Sequence, residues 1–288
     1  MTFYERLKKK TQSFFGLDKI NEKINNLKIL NGKSLALNHT NQTFSNINDY
    51  EFKVISQFGE DGIIQFLINN INISKKKFVE FGVENFDEAN TRFLLENNCW
   101  TGLIIDSSKK YIDYIKKQNY YWKYNLKVIN KFVSKENINS ILKENNFIGD
   151  IGILSIDIDG NDYWIWDSIE IINPDIVIIE YNARLGCELS LTIPYEMNFD
   201  RRKKNNSYGA SLTALNKLAE KKNYKLVGTN LNGNNAFFVR SEKLKDTKIK
   251  HQEPKRCFHV NSFSENRNKS GEIIKGLDDL NISDFIKI

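Results

Sequence analysis

Four carboxylates close apolar runs in this 288-residue sequence: Glu80 in KKFVEF (76–81), Asp106 in TGLIID (101–106), Asp157 in IGILSIDI (151–158) and Glu180 in DIVIIEYN (175–182). An unpaired charge at the end of a buried strand is costly. Four of them therefore point to a ligand at one edge of a sheet. Between the first two lies a turn with a single glycine, Gly82, crowded by Glu84, Asp87 and Glu88. Strand–glycine–helix units that hold a pyrophosphate carry several glycines, so that backbone amides can approach the phosphates. Here the carboxylates would repel a diphosphate and suit a cationic ligand.

S-Adenosylmethionine has a sulfonium, an ammonium and a ribose, and it carries no phosphate. Asp106, 24 residues beyond Gly82, is placed to accept hydrogen bonds from both ribose hydroxyls. A second acidic cluster, SIDIDGNDYWIW (155–166), is the densest signal in the chain. Asp157 and Asp159 alternate, so they point to opposite faces unless the strand is already turning. Asp159 and Asp162 suit the N-terminus of the helix that follows. Methyl transfer requires an aligned acceptor, exclusion of water and removal of the acceptor's proton. A metal could do the last by lowering a bound hydroxyl's pKa; without one, Asp159 or His259 is the candidate base.

These residues need a frame. Apolar strands alternate with helical patterns from residue 51 onward, which predicts a parallel sheet covered on both faces. The helix YGASLTALNKLAEKKN leads into two strands, 224–229 and 236–240, joined by NLNGNN as a hairpin. The expected fold class is α/β: a Rossmann-like doubly wound sheet, mostly parallel, of seven strands with a C-terminal antiparallel hairpin. An N-terminal helical extension (1–50), a main domain (51–240) and a C-terminal tail packing on it (241–288) complete the expectation. Residues 2–30 read as a helix, with Leu17, Ile20, Ile24 and Leu27 as one apolar stripe. Packing on the main domain or on a second copy is expected of it, with a homodimer as one outcome and a membrane-surface helix led by Lys8–Lys10 as the weaker one. Residues 31–50 read as polar turns.

SQFGED (56–61), FVEFGVENFDEANT at the glycine turn, GLIIDSS at the ribose acid, FVSKENI (132–138) and SIDIDGNDY (155–163) together resemble FkbM-type class I S-adenosylmethionine-dependent methyltransferases, over roughly residues 50–240. The resemblance implies Gln57, Glu80, Gly82, Thr91, Asp106 and Ser134 as cofactor contacts, with Asp157 beside them. Glu80 would face the methionine amine or order its water. The single Gly82 departs from multi-glycine versions of the turn. Asp157 with EYN (180–182) also resembles the metal-dependent O-methyltransferases of the caffeoyl-coenzyme A type. That implies Asp157, Glu180 and Asn182 as ligands of Mg²⁺ or Mn²⁺. Glu-Tyr-Asn replaces their Asp-Asn pair, and Gly160 stands where their lysine falls. The long polar segment 186–211 is expected to bind the acceptor, through Tyr195, Glu196, Arg201 and Tyr208.

Composition bounds the alternatives. The chain is 40% hydrophobic and carries a net charge of +6 with basic and acidic residues interleaved, as on an ordinary solvated exterior. Cys99, Cys187 and Cys257 form no C-x-x-C pair and read as reduced thiols. No apolar run is long enough to span a membrane, and the N-terminus lacks a signal-peptide pattern, so a cytoplasmic protein is expected. The function expected is O-methylation of a carbohydrate or surface-glycan precursor. Rivals are a D-x-D glycosyltransferase using Asp157-Ile-Asp159, a methyltransferase-fold binding module without chemistry, and a nucleic-acid methyltransferase. The last would want a basic, aromatic-interleaved face that the sequence does not offer.

Overall fold

The computed structural model describes residues 16–38, 46–203, 207–261, 270, 272 and 280–288. In chain order the main elements are α1 (Leu17–Asn38), α2 (Glu60–Asn70), β1 (Lys77–Phe81), α3 (Arg92–Asn98), β2 (Thr101–Asp106), α4 (Lys109–Ile115), α5 (Asn119–Lys123) and β3 (Leu126–Asn130). There follow α6 (Ile138–Glu144), β4 (Gly149–Ile156), α7 (Asp162–Ser168), β5 (Ile172–Glu180), β6 (Leu191–Thr192), α8 (Leu212–Lys221), β7 (Tyr224–Thr229), β8 (Asn235–Arg240), α9 (Pro254–Cys257) and β9 (Ile286–Lys287).

Among the described residues, seven strands form one sheet in the order β3-β2-β1-β4-β5-β8-β7. The first five are parallel, and β8 runs antiparallel to both β5 and β7. This is the Rossmann-like, doubly wound sheet that the alternating pattern requires. Successive residues of a strand face opposite layers. Val79, Phe81, Leu103, Ile105, Val177 and Ile179 pack with α6, α7 and α8 on one face. Phe78, Ile104, Ile153, Ile176 and Ile178 pack with α2, α4 and Trp100 on the other. Burial on both faces explains why these strands read as unbroken apolar runs.

Several elements depart from the sequence expectation. α1 runs to Asn38 instead of dissolving into turns after residue 30. Gly32 and Ala36 hold this half: a Cβ on Gly32 would lie 2.4 Å from Val54 Cγ2 and 2.8 Å from Phe93 Cζ, so the helix is pressed against the body. DEANTRFLLENN (87–98), helical by pattern, forms helix only from Arg92, because the amides of Asn90 and Thr91 are taken by the Glu80 carboxylate. Strand β4 ends at Ile156, so Asp157 and Asp159 lie beyond it in a turn. Residues Ile47–Tyr50, on the far side of the expected boundary, are built into the core, with Tyr50 stacked on Phe66. In the tail, α9 packs by β7 and α8 through buried Cys257, and β9 pairs with β6 as a small second sheet that the sequence did not announce. Most of GEIIKGLDDL (271–280), helical by pattern, and residues 2–15 of the expected N-terminal helix fall outside the described residues. No helix among the described residues is long and apolar enough to cross a membrane.

Candidate active site

The carboxyl ends of β1, β2, β4 and β5 open into a cavity of about 740 Å³, within the usual size of a small-molecule site. Its floor is set by close approach of two backbones. Gly82 has φ +71°, and a Cβ there would lie 1.6 Å from the carbonyl oxygen of Asp157. Only glycine tolerates that contact together with that dihedral. The turn continues through Glu84 and Phe86, both left-handed at φ 46° and 62°.

Glu80 closes β1 but does not reach freely into the cavity. One oxygen accepts from the Asn90 amide at 2.9 Å and the Ser155 hydroxyl at 3.3 Å, and the other from the Thr91 amide at 3.2 Å and the Thr91 hydroxyl. Burial pushes its pKa up to about 6 against these bonds. Glu80 thus orders residues 90–91, and Thr91, fully buried, is its partner there and is absent from the cavity wall. Both acids of SQFGED have a similar task. Asp61 accepts the amides of Val54, Ile55 and Ser56 at 2.7–2.8 Å, while Glu60 accepts from Asn230 at 2.7 Å and Asn235 at 3.0 Å. Gln57 lies at the cavity wall.

Asp106 ends β2 with its carboxylate fixed by two amides, Glu84 at 2.9 Å and Ser108 at 2.7 Å. Each of those oxygens keeps a further lone pair on the cavity wall. Burial raises the pKa of Asp106, opposed by the amides of Ser108 and Glu84. Beside it stand Lys131, Phe132 and Val133. They take the place expected of Ser134, which is buried, does not line the cavity, and donates its amide to Asn137 Oδ1 at 2.9 Å.

The second cluster is built differently. Asp162 accepts the amides of Ile158 at 2.9 Å and Gly160 at 2.8 Å and so folds the turn after β4. Within that turn Asp159 is left-handed, φ 57°. The chain has already left the strand, and the alternation that would have sent Asp157 and Asp159 to opposite faces no longer applies. Asp157, Asp159 and Glu180 each present an oxygen within 4.8 Å of the others. Burial raises Asp157 and Glu180 well above the ordinary carboxylate range, and their mutual repulsion with Asp159 adds to it. Arg201 answers this charge: its guanidinium bonds Asp159 and stacks over Tyr208, 3.9 Å from the ring centroid.

Four further expected site residues lie elsewhere. Asn182 is buried as the cap of a short turn, accepting the Arg184 amide at 3.1 Å and donating to the Tyr208 carbonyl at 3.0 Å, so Asp159 replaces it in the acidic triad. His259 does not line the cavity; its Nδ1 contacts the Thr229 hydroxyl at 2.9 Å, and burial lowers its pKa. Tyr195 and Glu196 line a neighbouring hollow with Phe199, Lys203 and Asp284. Tyr195 donates to Glu136 at 2.6 Å, and Asn161 donates to the Glu196 carbonyl at 2.8 Å. Asp159 itself is ion-paired, which removes it as a free base. The cavity also includes Asn161, Phe199, Asn234 and Asn235, which sequence reasoning missed. The last two come from NLNGNN, whose composition signalled a turn; its proximity to Glu180 follows from the β5–β8 register, in which Glu180 faces Asn235.

The sequence matches no protein-family model and no curated protein. Among solved structures, the chain is similar to TrmK of M. capricolum in complex with S-adenosylhomocysteine, at 13% identity and a TM-score of 0.40 over 69% of this chain and 75% of that one. It is similar to an O-methyltransferase from Bacillus cereus in complex with S-adenosylhomocysteine, at 14% identity and a TM-score of 0.38, over 57% and 72%. A ribosomal protein L11 methylase from Lactobacillus delbrueckii subsp. bulgaricus is similar at 8% identity and a TM-score of 0.34, over 57% and 69%. At this level of likeness, what the chain binds has to be argued from its own residues.

Proposed function

We propose that the chain is an S-adenosylmethionine-dependent methyltransferase of the FkbM type, transferring a methyl group to a hydroxyl of a carbohydrate or surface-glycan precursor. One observation carries the reading: Asp106, held by two amides at the end of β2, faces a cavity walled by further carboxylates beside a one-glycine turn. The donor set fits the cofactor. Asp106 takes the ribose hydroxyls, Phe132 and Val133 offer an apolar wall to the adenine, and Glu84 and Asp157 answer the ammonium and sulfonium charge. A diphosphate would meet the same acids as repulsion.

The bound cofactor supplies a methyl group made electrophilic by the sulfonium. The chain aligns the acceptor hydroxyl, keeps water away and accepts its proton. Glu180, raised by burial and by Asp157 and left without a hydrogen-bond donor among the described residues, is the base suited to that proton. Tyr208 and Phe199 shape the acceptor side, and Arg201 limits the charge of the cluster. Asp157, Asp159 and Glu180 are spaced to hold Mg²⁺ or Mn²⁺, provided that Arg201 leaves Asp159.

Calorimetry with S-adenosylhomocysteine tests the reading. Asp106→Ala is expected to weaken binding by about 30-fold or more, as loss of two charge-assisted hydrogen bonds implies. Equal affinity in wild type and variant would remove the ribose assignment. Turnover is read as a gain of one methyl mass over a panel of hydroxylated acceptors, with and without chelator; turnover that survives exhaustive chelation removes the metal. Binding of a nucleotide sugar in place of S-adenosylhomocysteine would favour the D-x-D reading of Asp157-Ile-Asp159.

A further inference from the structure

Helix α1 has two unlike faces. Ile29, Gly32 and Ala36 turn toward the body, where Gly32 meets Val54 and Phe93 and Ala36 is 5% exposed. The other side carries Leu17, Ile20, Ile24, Leu27 and Leu30, which are 41, 49, 47, 64 and 63% exposed. At 3.6 residues per turn the first four form one stripe about 15 Å long, and Leu30 continues its edge. The same helical geometry sets Lys19 and Lys23 along one side of the stripe and Lys28 along the other. Glu22 is turned away from it, 3.3 Å from Lys123 of α5. The residue before that lysine, Trp122, is 73% exposed.

We propose that this face of α1 seats the protein on an anionic phospholipid surface. The charges select the occupant. If two copies paired through the stripe, Lys23 and Lys28 would flank the seam on both helices, like charge against like. Against a leaflet of anionic headgroups the same lysines are attracted, and their aliphatic stems extend the apolar surface while the ammonium groups reach the headgroups. The inference stands apart from the methyl-transfer reading, because no residue in it lines the cavity.

Co-sedimentation of the full chain with vesicles tests it, using phosphatidylcholine alone and phosphatidylcholine with about 30% phosphatidylglycerol. The wild type is expected in the pellet with the anionic vesicles and in the supernatant with the neutral ones. Ile20→Ser/Ile24→Ser/Leu27→Ser is expected to lower the partition coefficient about tenfold or more, and Lys19→Gln/Lys23→Gln/Lys28→Gln several-fold, as does 1 M salt. Circular dichroism and unchanged S-adenosylhomocysteine titrations show that the variants are folded. Wild type left in the supernatant with both vesicles overturns the proposal, as does a serine variant that sediments like wild type. A lipid-free mass of two chains that falls to one in the serine variant also overturns it, by assigning the stripe to a second copy.

Discussion

Glu80 and Glu180 close parallel strands at the same edge of one sheet, two strands apart, yet their surroundings are opposite. Glu80 receives four hydrogen bonds, from Asn90, Thr91 and Ser155. Among the described residues Glu180 receives none; it faces Asp157 and Asp159, with Arg201 as the nearby cation. The two regions teach that a carboxylate at a strand end is ambiguous until its donors are counted. A saturated one folds a loop. An unsaturated cluster keeps charge and proton affinity that a ligand could use, beyond what the Arg201–Asp159 pair takes up.

The largest expected effect lies where the two regions touch. Gly82→Ala places a Cβ 1.6 Å from the Asp157 carbonyl at φ +71°, and is expected to cost about 4 kcal/mol or to abolish folding, read by urea denaturation. A fully stable variant would show that the two loops move independently. Glu80→Ala strips the donors of Asn90 and Thr91 of their acceptor, and a loss of about 3 kcal/mol is expected in the same measurement. Glu180→Gln should act in the opposite sense: stability equal to or above wild type, since like-charge repulsion is relieved, with methyl transfer reduced about 100-fold. If Glu180→Gln unfolds the protein instead, the contrast between the regions is lost.

The pH dependence sharpens the same contrast. Glu80, near 6, and Asp157 and Glu180, both raised, bind protons more readily folded than unfolded. Stability therefore rises as pH falls through the folded values and stops rising once the ordinary carboxylate range is passed. Melting temperature is expected to be higher near pH ~5.5 than near pH ~8, and Glu180→Gln to flatten that slope. The smallest effect is expected of His259→Ala, within about threefold of wild-type turnover, because its ring contacts Thr229 outside the cavity.

The order of strands and helices was legible because continuous apolar runs and helical spacing record burial on two faces, and β2, 101–106, was readable to the residue. The ends of elements were less so. α3 starts late because Glu80 captures two amides from a loop ten residues away, and no local propensity encodes that. The sequence by itself determined which carboxylates reach the sheet edge, since each follows an apolar run that records burial on both faces. Tertiary structure decided which of them remain available. Asp157, Asp159 and Glu180 met because the chain turns left-handed at Asp159. Asn182 and His259 were drawn to backbone and hydroxyl partners from segments 26 and 30 residues away. A side chain's type fixes what it can donate or accept; its neighbours in space decide whether that capacity is already used.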